Sequence, residues 1–396
     1  MAEGKNITAE NPRKIFQDIE YLRGAACILV LVQHIIWTCP LYYLHMIVPD
    51  AFLEGSGAVR IFFAISGFVV TYSMRDKLTQ FSDGLFIERF GAAKDFLVSF
   101  YKKRFFRIMP VVFLVIFGAA IFFASTDYTP ACCNVKEWFY DLFRVPFEIL
   151  FGVYHYSMHL FQWTRRIYDA GLGPMWTLGV ESQFYIIWPL ALLLCKNNNV
   201  RAIMALTLGC LFLFVFGPGT GALITDKLYY LIPNHAAELL LGSFLAFVYD
   251  EKDEKEATTI TKICAVVLFF AIWIYVRAIN SLQLIAPPAF YMGVVPSAMS
   301  ILLVALAVFR PGSFTIPVLK PILGYLGSRS LSFYLIQLLL ANVVVWFTGS
   351  TYFDAGSMSK MQVYGLQVVI FFVLLPICTE LVYRFVEKPA RAFGRK

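Results

Sequence analysis

Long unbroken apolar runs alternate with short polar connections along nearly the whole chain. The runs fall at 22–44, 57–74, 108–126, 176–195, 202–218, 228–249, 261–279, 288–309, 331–348 and 362–383. Most approach the ~20 residues that a helix needs to cross a bilayer. The pattern predicts an all-α fold: a polytopic membrane helix bundle of about ten transmembrane helices, forming one integral-membrane domain over 1–396. Residues 1–21 would be a tail, and the two long connections are 75–107 and 127–174.

Basic residues set the expected orientation. With the N-terminus inside, the even-numbered connections and both tails carry 24 of the 33 Lys and Arg, and the odd-numbered connections carry seven. Cytoplasmic segments are enriched in Lys and Arg, so both termini and the basic 75–107 loop are expected in the cytoplasm, with 127–174 on the outer side. Composition agrees, since 59% of residues are hydrophobic and only 15% charged, which excludes a soluble domain. The net charge of +7 then reflects topology and anionic lipid rather than nucleic acid. Residues 1–19 are polar and lack the apolar core of a signal peptide. The eight Cys lie mostly singly within apolar runs, and no ligand spacing predicts a metal site. Cys132 and Cys133 are adjacent in the outer connection, which also carries His155 and His159.

Against this apolar background the ionisable residues stand out, because such groups within a span are costly and tend to be functional. The first run, YLRGAACILVLVQHIIW, carries Arg23 at its start and His34 inside it, eleven positions apart. At 100° per residue that is three turns plus about 20°, and at 1.5 Å per residue it is about 16 Å along the axis, so the two side chains share a face. Arg23 is either an ordinary flanking anchor or a cation at the mouth of a site. His34 is either a satisfied core histidine or a reactive base at depth.

Arg104 and Arg107 in SFYKKRFFRIMP lie at i and i+3, with Lys102 and Lys103 beside them. Paired guanidinium forks suit phosphate, though the cluster also fits an ordinary cytoplasmic flank. Glu181 sits a few residues into the fourth run and wants a cationic or hydrogen-bonding partner. Asn234, His235 and Glu238 open the sixth run and are secondary candidates or structural groups. Ser66 and Gly67, in IFFAISGFVV, point more to close helix packing than to a nucleophile. The run DEKDEKE at 250–256 reads as a solvated loop.

Taken in order, LRG with Arg-x10-His, FFAISGFVVTY, YKKRFFRIMP, MWTLGVESQFYIIWPL and a closing YRFVEKPARAFGRK resemble the acyltransferase-3 family of membrane O-acyltransferases. The resemblance implies an O-acetyltransferase with acetyl-CoA or another acyl-CoA as donor substrate and no permanently bound cofactor. The acceptor would be a hydroxyl of an extracytoplasmic or lipid-linked glycan, and the location a bacterial cytoplasmic membrane. It implies His34, Arg23 and Glu181 as catalytic residues and Arg104 and Arg107 as acyl-CoA ligands, with Lys103 joining them as a candidate ligand on the charge it adds beside the pair. Ser66, Trp176, His235 and Glu238 are secondary candidates. Gln337 stands where many members carry His, and His235 where many carry Arg. A second-stage partner would be a separate extracytoplasmic protein.

On this reading the arginines hold the donor phosphates at the inner surface and the thin pantetheine arm reaches up to His34. His34 would act as general base or form an acyl-histidine. The rival reading is a proton-coupled transporter of a small anionic or sugar-like solute, which intramembrane Arg, His and Glu would also suit.

Overall fold

The structure, a computed structural model, describes residues 17–38, 56–126, 135–154, 171–215, 233–281, 293–349 and 358–396. Cys39, Cys132, Cys133, His155, His159 and tail residues 1–16 lie outside the described residues. Every regular element among the described residues is helical. In chain order these are α1 (Gln17–Thr38), α2 (Ser56–Leu78), α3 (Phe86–Ala92), α4 (Lys94–Ser125), α5 (Val135–Leu150) and α6 (Trp176–Leu194). There follow α7 (Asn198–Val215), α8 (Pro233–Val248), α9 (Thr259–Ser281), α10 (Val295–Phe309) and the short α11 (Lys320–Ser328). The chain closes with α12 (Ser330–Thr348), α13 (Lys360–Val382), a π-helical turn over Tyr383–Glu387, and α14 (Lys388–Phe393).

A helix lies on each of the ten predicted runs, but six among the described residues are long and apolar enough to cross a membrane. Asn198–Phe214, His235–Val248 and Val295–Phe309 are shorter apolar helices. Several runs read from sequence, such as 22–44, 228–249 and 288–309, extend into residues outside the described set, so their full apolar length is not carried by the helices seen. The basic connection 75–107 is also not an open loop. It contains α3 and the start of α4, which runs unbroken from Lys94 through the predicted loop boundary at 107. In the connection 127–174, α5 presents Phe143 and Phe147 outward and buries Val145 and Ile149.

Helix α2 is the most enclosed of the six, with 72% of its apolar window buried, against 22% for Met361–Phe393. Its packing depends on glycine. A Cβ at Gly67 would lie 1.9 Å from the Leu239 carbonyl oxygen of α8, and one at Gly242 of α8 would lie 2.2 Å from the Ala64 oxygen of α2. The two backbones therefore approach each other reciprocally, as small residues allow within lipid. Thr71 donates to Ser243 at 2.9 Å across the same seam, and the Trp188 indole of α6 donates to Thr71 at 2.8 Å. Helices α1 and α11 repeat the arrangement, because a Cβ at Gly24 would meet the Leu323 oxygen at 2.2 Å and one at Gly327 the Glu20 oxygen at 1.9 Å.

Polar groups tie the helix ends. Arg201 is fully buried and donates to the carbonyls of Leu78, Leu192 and Cys195 and to Asn198 Oδ1. It thus satisfies carbonyls left open at the C-terminal ends of α2 and α6. Asp18 accepts from the backbone N–H groups of Gly312 and Phe314, fixing the start of α1 to the turn after α10.

Candidate functional site: a cavity lined by arginines and Glu181

Four elements bring the chemistry together. Arg23 comes from α1, Ser66 from α2, Arg107 from α4, and Glu181 with Thr177 from α6, and all line one cavity of about 80 Å³. Ser330 and Tyr334 of α12 complete the wall, with Phe62 and Phe63 of α2. At about 10–15 Å³ per ordered water, the cavity takes several waters or a group the size of an acetyl thioester. Two guanidinium groups facing one carboxylate give it a positive balance.

Helix α6 is aimed by the turn before it. Gly171 has φ +79°, and a Cβ there would sit 2.8 Å from the Leu338 carbonyl carbon, so only glycine lets the chain turn against α12. The Pro174 carbonyl then accepts from Tyr334 Oη at 3.1 Å and from Thr177 Oγ1 at 3.0 Å, and Thr177 also lies 3.3 Å from Tyr334 Oη. These bonds hold the Tyr334 ring at the cavity wall. The His34 ring packs against Tyr334 from α1, with centroids 6.3 Å apart, so His34 adjoins the cavity through that ring. Because α1 is one continuous helix, the rise and phase expected between Arg23 and His34 hold in the fold.

Glu181 finds its partner on its own helix. Tyr185, one turn on, donates to Glu181 Oε2 at 2.9 Å, and Ser66 Oγ lies 3.3 Å from Tyr185 Oη. Ser66, Tyr185 and Glu181 thus form a hydrogen-bonded chain from α2 to α6. Arg104 stacks over the Tyr185 and Phe100 rings, each 5.2 Å from its Cζ, and approaches Ser73 Oγ at 3.5 Å. Arg104 therefore braces the chain from outside the cavity wall, while Arg107 faces in. Lys103 is exposed and does not line the cavity.

The remaining sequence candidates sit elsewhere. His235 is buried between Trp176 and Phe63, with centroid distances of 5.1 and 5.2 Å. Glu238, fully buried, pairs with Arg60 of α2 and accepts from Ser297 of α10 at 2.6 Å, while Arg60 also donates to Ser297 at 3.0 Å. That pairing joins α2, α8 and α10, and none of the three residues lines the cavity. The Asn234 side chain lies outside the described residues. Gln337 is buried one turn beyond Tyr334 and donates to its carbonyl at 3.3 Å. Tyr185, Tyr334 and Thr177 were not singled out from sequence. Tyr185 could have been, as the i+4 neighbour of Glu181, whereas nothing local marks Tyr334.

The family model described as an acyltransferase domain matches residues 16–381. The chain belongs to the acyltransferase-3 family. The peptidoglycan O-acetyltransferase OatA of Listeria monocytogenes is 24% identical over 419 residues, covering 98% of this chain and 57% of the relative. A putative O-acetyltransferase of Staphylococcus aureus is 23% identical, covering all of the chain and 60% of its own length. The putative peptidoglycan O-acetyltransferase YrhL of Bacillus subtilis is 24% identical, covering 85% of the chain and 50% of its own. The chain thus spans between half and three-fifths of the length of these curated relatives. No solved structure matches it. The matched range contains all the cavity-lining residues, so the site lies within the acyltransferase domain.

Proposed function

We propose that this protein is an integral-membrane O-acetyltransferase that moves an acetyl group from cytoplasmic acetyl-CoA to a hydroxyl of an extracytoplasmic or lipid-linked glycan. The observation that carries the reading is the convergence of Arg23, Arg107, Glu181 and Ser66 on one cavity whose wall, Tyr334, is packed against His34. Family membership supports acyl transfer, and relatives named as peptidoglycan O-acetyltransferases support a glycan acceptor. The proposed topology has about ten crossings and both termini in the cytoplasm, in a bacterial inner membrane.

In this mechanism Arg107 and Arg23 hold the anionic end of the donor, since guanidinium forks bind phosphate oxygens bidentately, and Arg104 adds its charge from behind the Tyr185 ring. The pantetheine arm lies along the α1 face, and the ~16 Å from Arg23 to His34 is of the order of that arm's length. His34 takes the proton of the acceptor hydroxyl as its oxygen attacks the thioester carbonyl. The C–S bond then breaks, and the departing thiolate recovers a proton from the imidazolium. An acyl-histidine intermediate is the stepwise variant. Glu181, oriented by Tyr185, balances the cationic wall.

The test is incubation of membranes holding the wild-type chain or His34→Ala with radiolabelled acetyl-CoA, followed by fractionation of labelled glycans and lipids. Label in a glycan fraction with wild type and its loss in the variant is the expected result. Solute flux in proteoliposomes without turnover of acetyl-CoA would replace this reading with transport.

A further inference from the structure

Arg391 lies in α14, beyond the family-matched range and outside the residues assigned above to the donor. Three observations draw it into the site. First, α14 and the turn before it meet the cavity's own elements. Ser332, which bonds Glu387, is two residues from the cavity-lining Ser330, and Phe106, which packs on Phe393, is next to Arg107, so that the Arg391 charge is felt by Arg23, Arg104 and Arg107. Among the described residues Arg23, Arg104 and Arg107 have no carboxylate within ion-pair distance, and three carboxylates, Glu20, Glu181 and Glu387, lie close enough to offset the four charges in part. Such a surplus at a partly buried site calls for an anion.

Second, Arg391 is held in place. Its Nη2 sits 2.5 Å from Glu387 Oε1, and Glu387 is fully buried and accepts from the Ser332 hydroxyl of α12. Third, α14 is fastened to α4. Phe393 packs edge-on against Phe106 with centroids 4.8 Å apart, Lys102 Nζ lies 5.6 Å from the Phe393 ring, and a Cβ on Gly394 would meet Phe106 at 2.8 Å. The π-helical turn at Tyr383–Glu387 sets the register that brings Glu387 inward and Arg391 beside α4.

We propose that Arg391 is a fourth guanidinium of the donor site, presented by the C-terminal helix, and binds a phosphate group at the nucleotide end of acyl-CoA. This rests on the acyl-CoA reading above. Glu387 is its positioning residue: it orients the guanidinium but leaves part of the fork open to a phosphate oxygen. The thioester end has no contact with Arg391, so the residue contributes to donor affinity and not to the chemical step.

The experiment titrates the purified full chain in nanodiscs with CoA and with pantetheine, which lacks the nucleotide. Variants are Arg391→Ala, Arg391→Lys and the double variant Glu387→Gln/Arg391→Ala, which removes the buried carboxylate that Arg391→Ala would leave unpaired. Loss of one charge-assisted contact predicts about ten-fold weaker CoA binding in Arg391→Ala and in the double variant. Arg391→Lys should recover part of it, and pantetheine binding should be unchanged throughout. Wild-type affinity for CoA in Arg391→Ala, recovery of affinity in the double variant, or an equal loss for pantetheine overturns the role of Arg391 alone. Failure of the wild-type chain to bind CoA overturns the donor reading itself, and this proposal with it.

Discussion

The Tyr185 hydroxyl donates a 2.9 Å hydrogen bond to Glu181 Oε2, one helical turn before it, and lies 3.3 Å from Ser66 Oγ. Through this phenol a carboxylate within an apolar helix is tied to a second helix, and the same ring carries the Arg104 guanidinium 5.2 Å from its centroid. Tyr185→Phe removes the donor while keeping the ring on which Arg104 stacks. It should lower kcat about ten-fold, the effect of about 1.4 kcal/mol from one hydrogen bond to a charged group. Ser66→Ala, at the far end of the chain, should cost less. Steady-state turnover of acetyl-CoA by both variants checks the order.

His34→Ala should abolish acyl transfer while leaving the protein folded. A general base contributes about 10²–10⁴-fold, so a residual rate above about a tenth of wild type would require another base. The same variant should still bind CoA, because His34 stands about 16 Å along α1 from Arg23, at the far end of the donor arm from its phosphates. Calorimetric titration beside the rate assay separates the two.

Arg107 faces the cavity, whereas Arg104 stacks on rings outside its wall. Arg107→Ala should therefore raise KM for acetyl-CoA with little change in kcat, and Arg107→Lys should recover only part, since Lys keeps the charge but not the fork. Arg104→Ala should lower kcat as well, through loss of the brace on Tyr185. Equal behaviour of the two variants in KM and kcat would contradict this division of roles.

Gly67→Ala should destabilise the bundle by about 1–3 kcal/mol, since its Cβ falls 1.9 Å from a carbonyl oxygen of α8 and the helices must move apart. Gly365→Ala, where a Cβ meets nothing within 4 Å, should be neutral or mildly stabilising. Thermal unfolding in detergent, followed by tryptophan fluorescence, reads both. A Gly67→Ala protein as stable as wild type would remove the close α2–α8 contact.

Single-cysteine labelling should reach positions 77 and 254 only from the cytoplasm and positions 136 and 360 only from outside. The basis is the 24-to-7 division of basic residues between the two sides. Labelling of position 77 from outside intact cells would reverse the orientation and, with it, the side from which the donor enters.

The sequence by itself determined the helical class, the positions of the ten apolar runs, the shared face of Arg23 and His34, and the family. These properties are local or periodic: hydrocarbon compatibility is set run by run, and the phase of two residues on one helix follows from 3.6 residues per turn. The close packing inferred at Gly67 was likewise legible, because a small residue in an apolar run has few other uses. Only the tertiary structure decided which ionisable residues meet. Glu181 and Glu238 look alike in sequence, yet one lines the cavity and the other is paired with Arg60 of α2, a pairing between helices that no spacing within either run encodes. Arg104 and Arg107 read as an equivalent pair, yet a rotation of three residues about α4 sends one to Tyr185 and the other to the cavity. Tyr334 is more than 150 positions from the Thr177 and Pro174 it bonds, and Arg391 lies on a helix packed against the distant α4. Their places follow from the docking of α12 and α14 on α1 and α4, a relation between distant segments that no local spacing encodes.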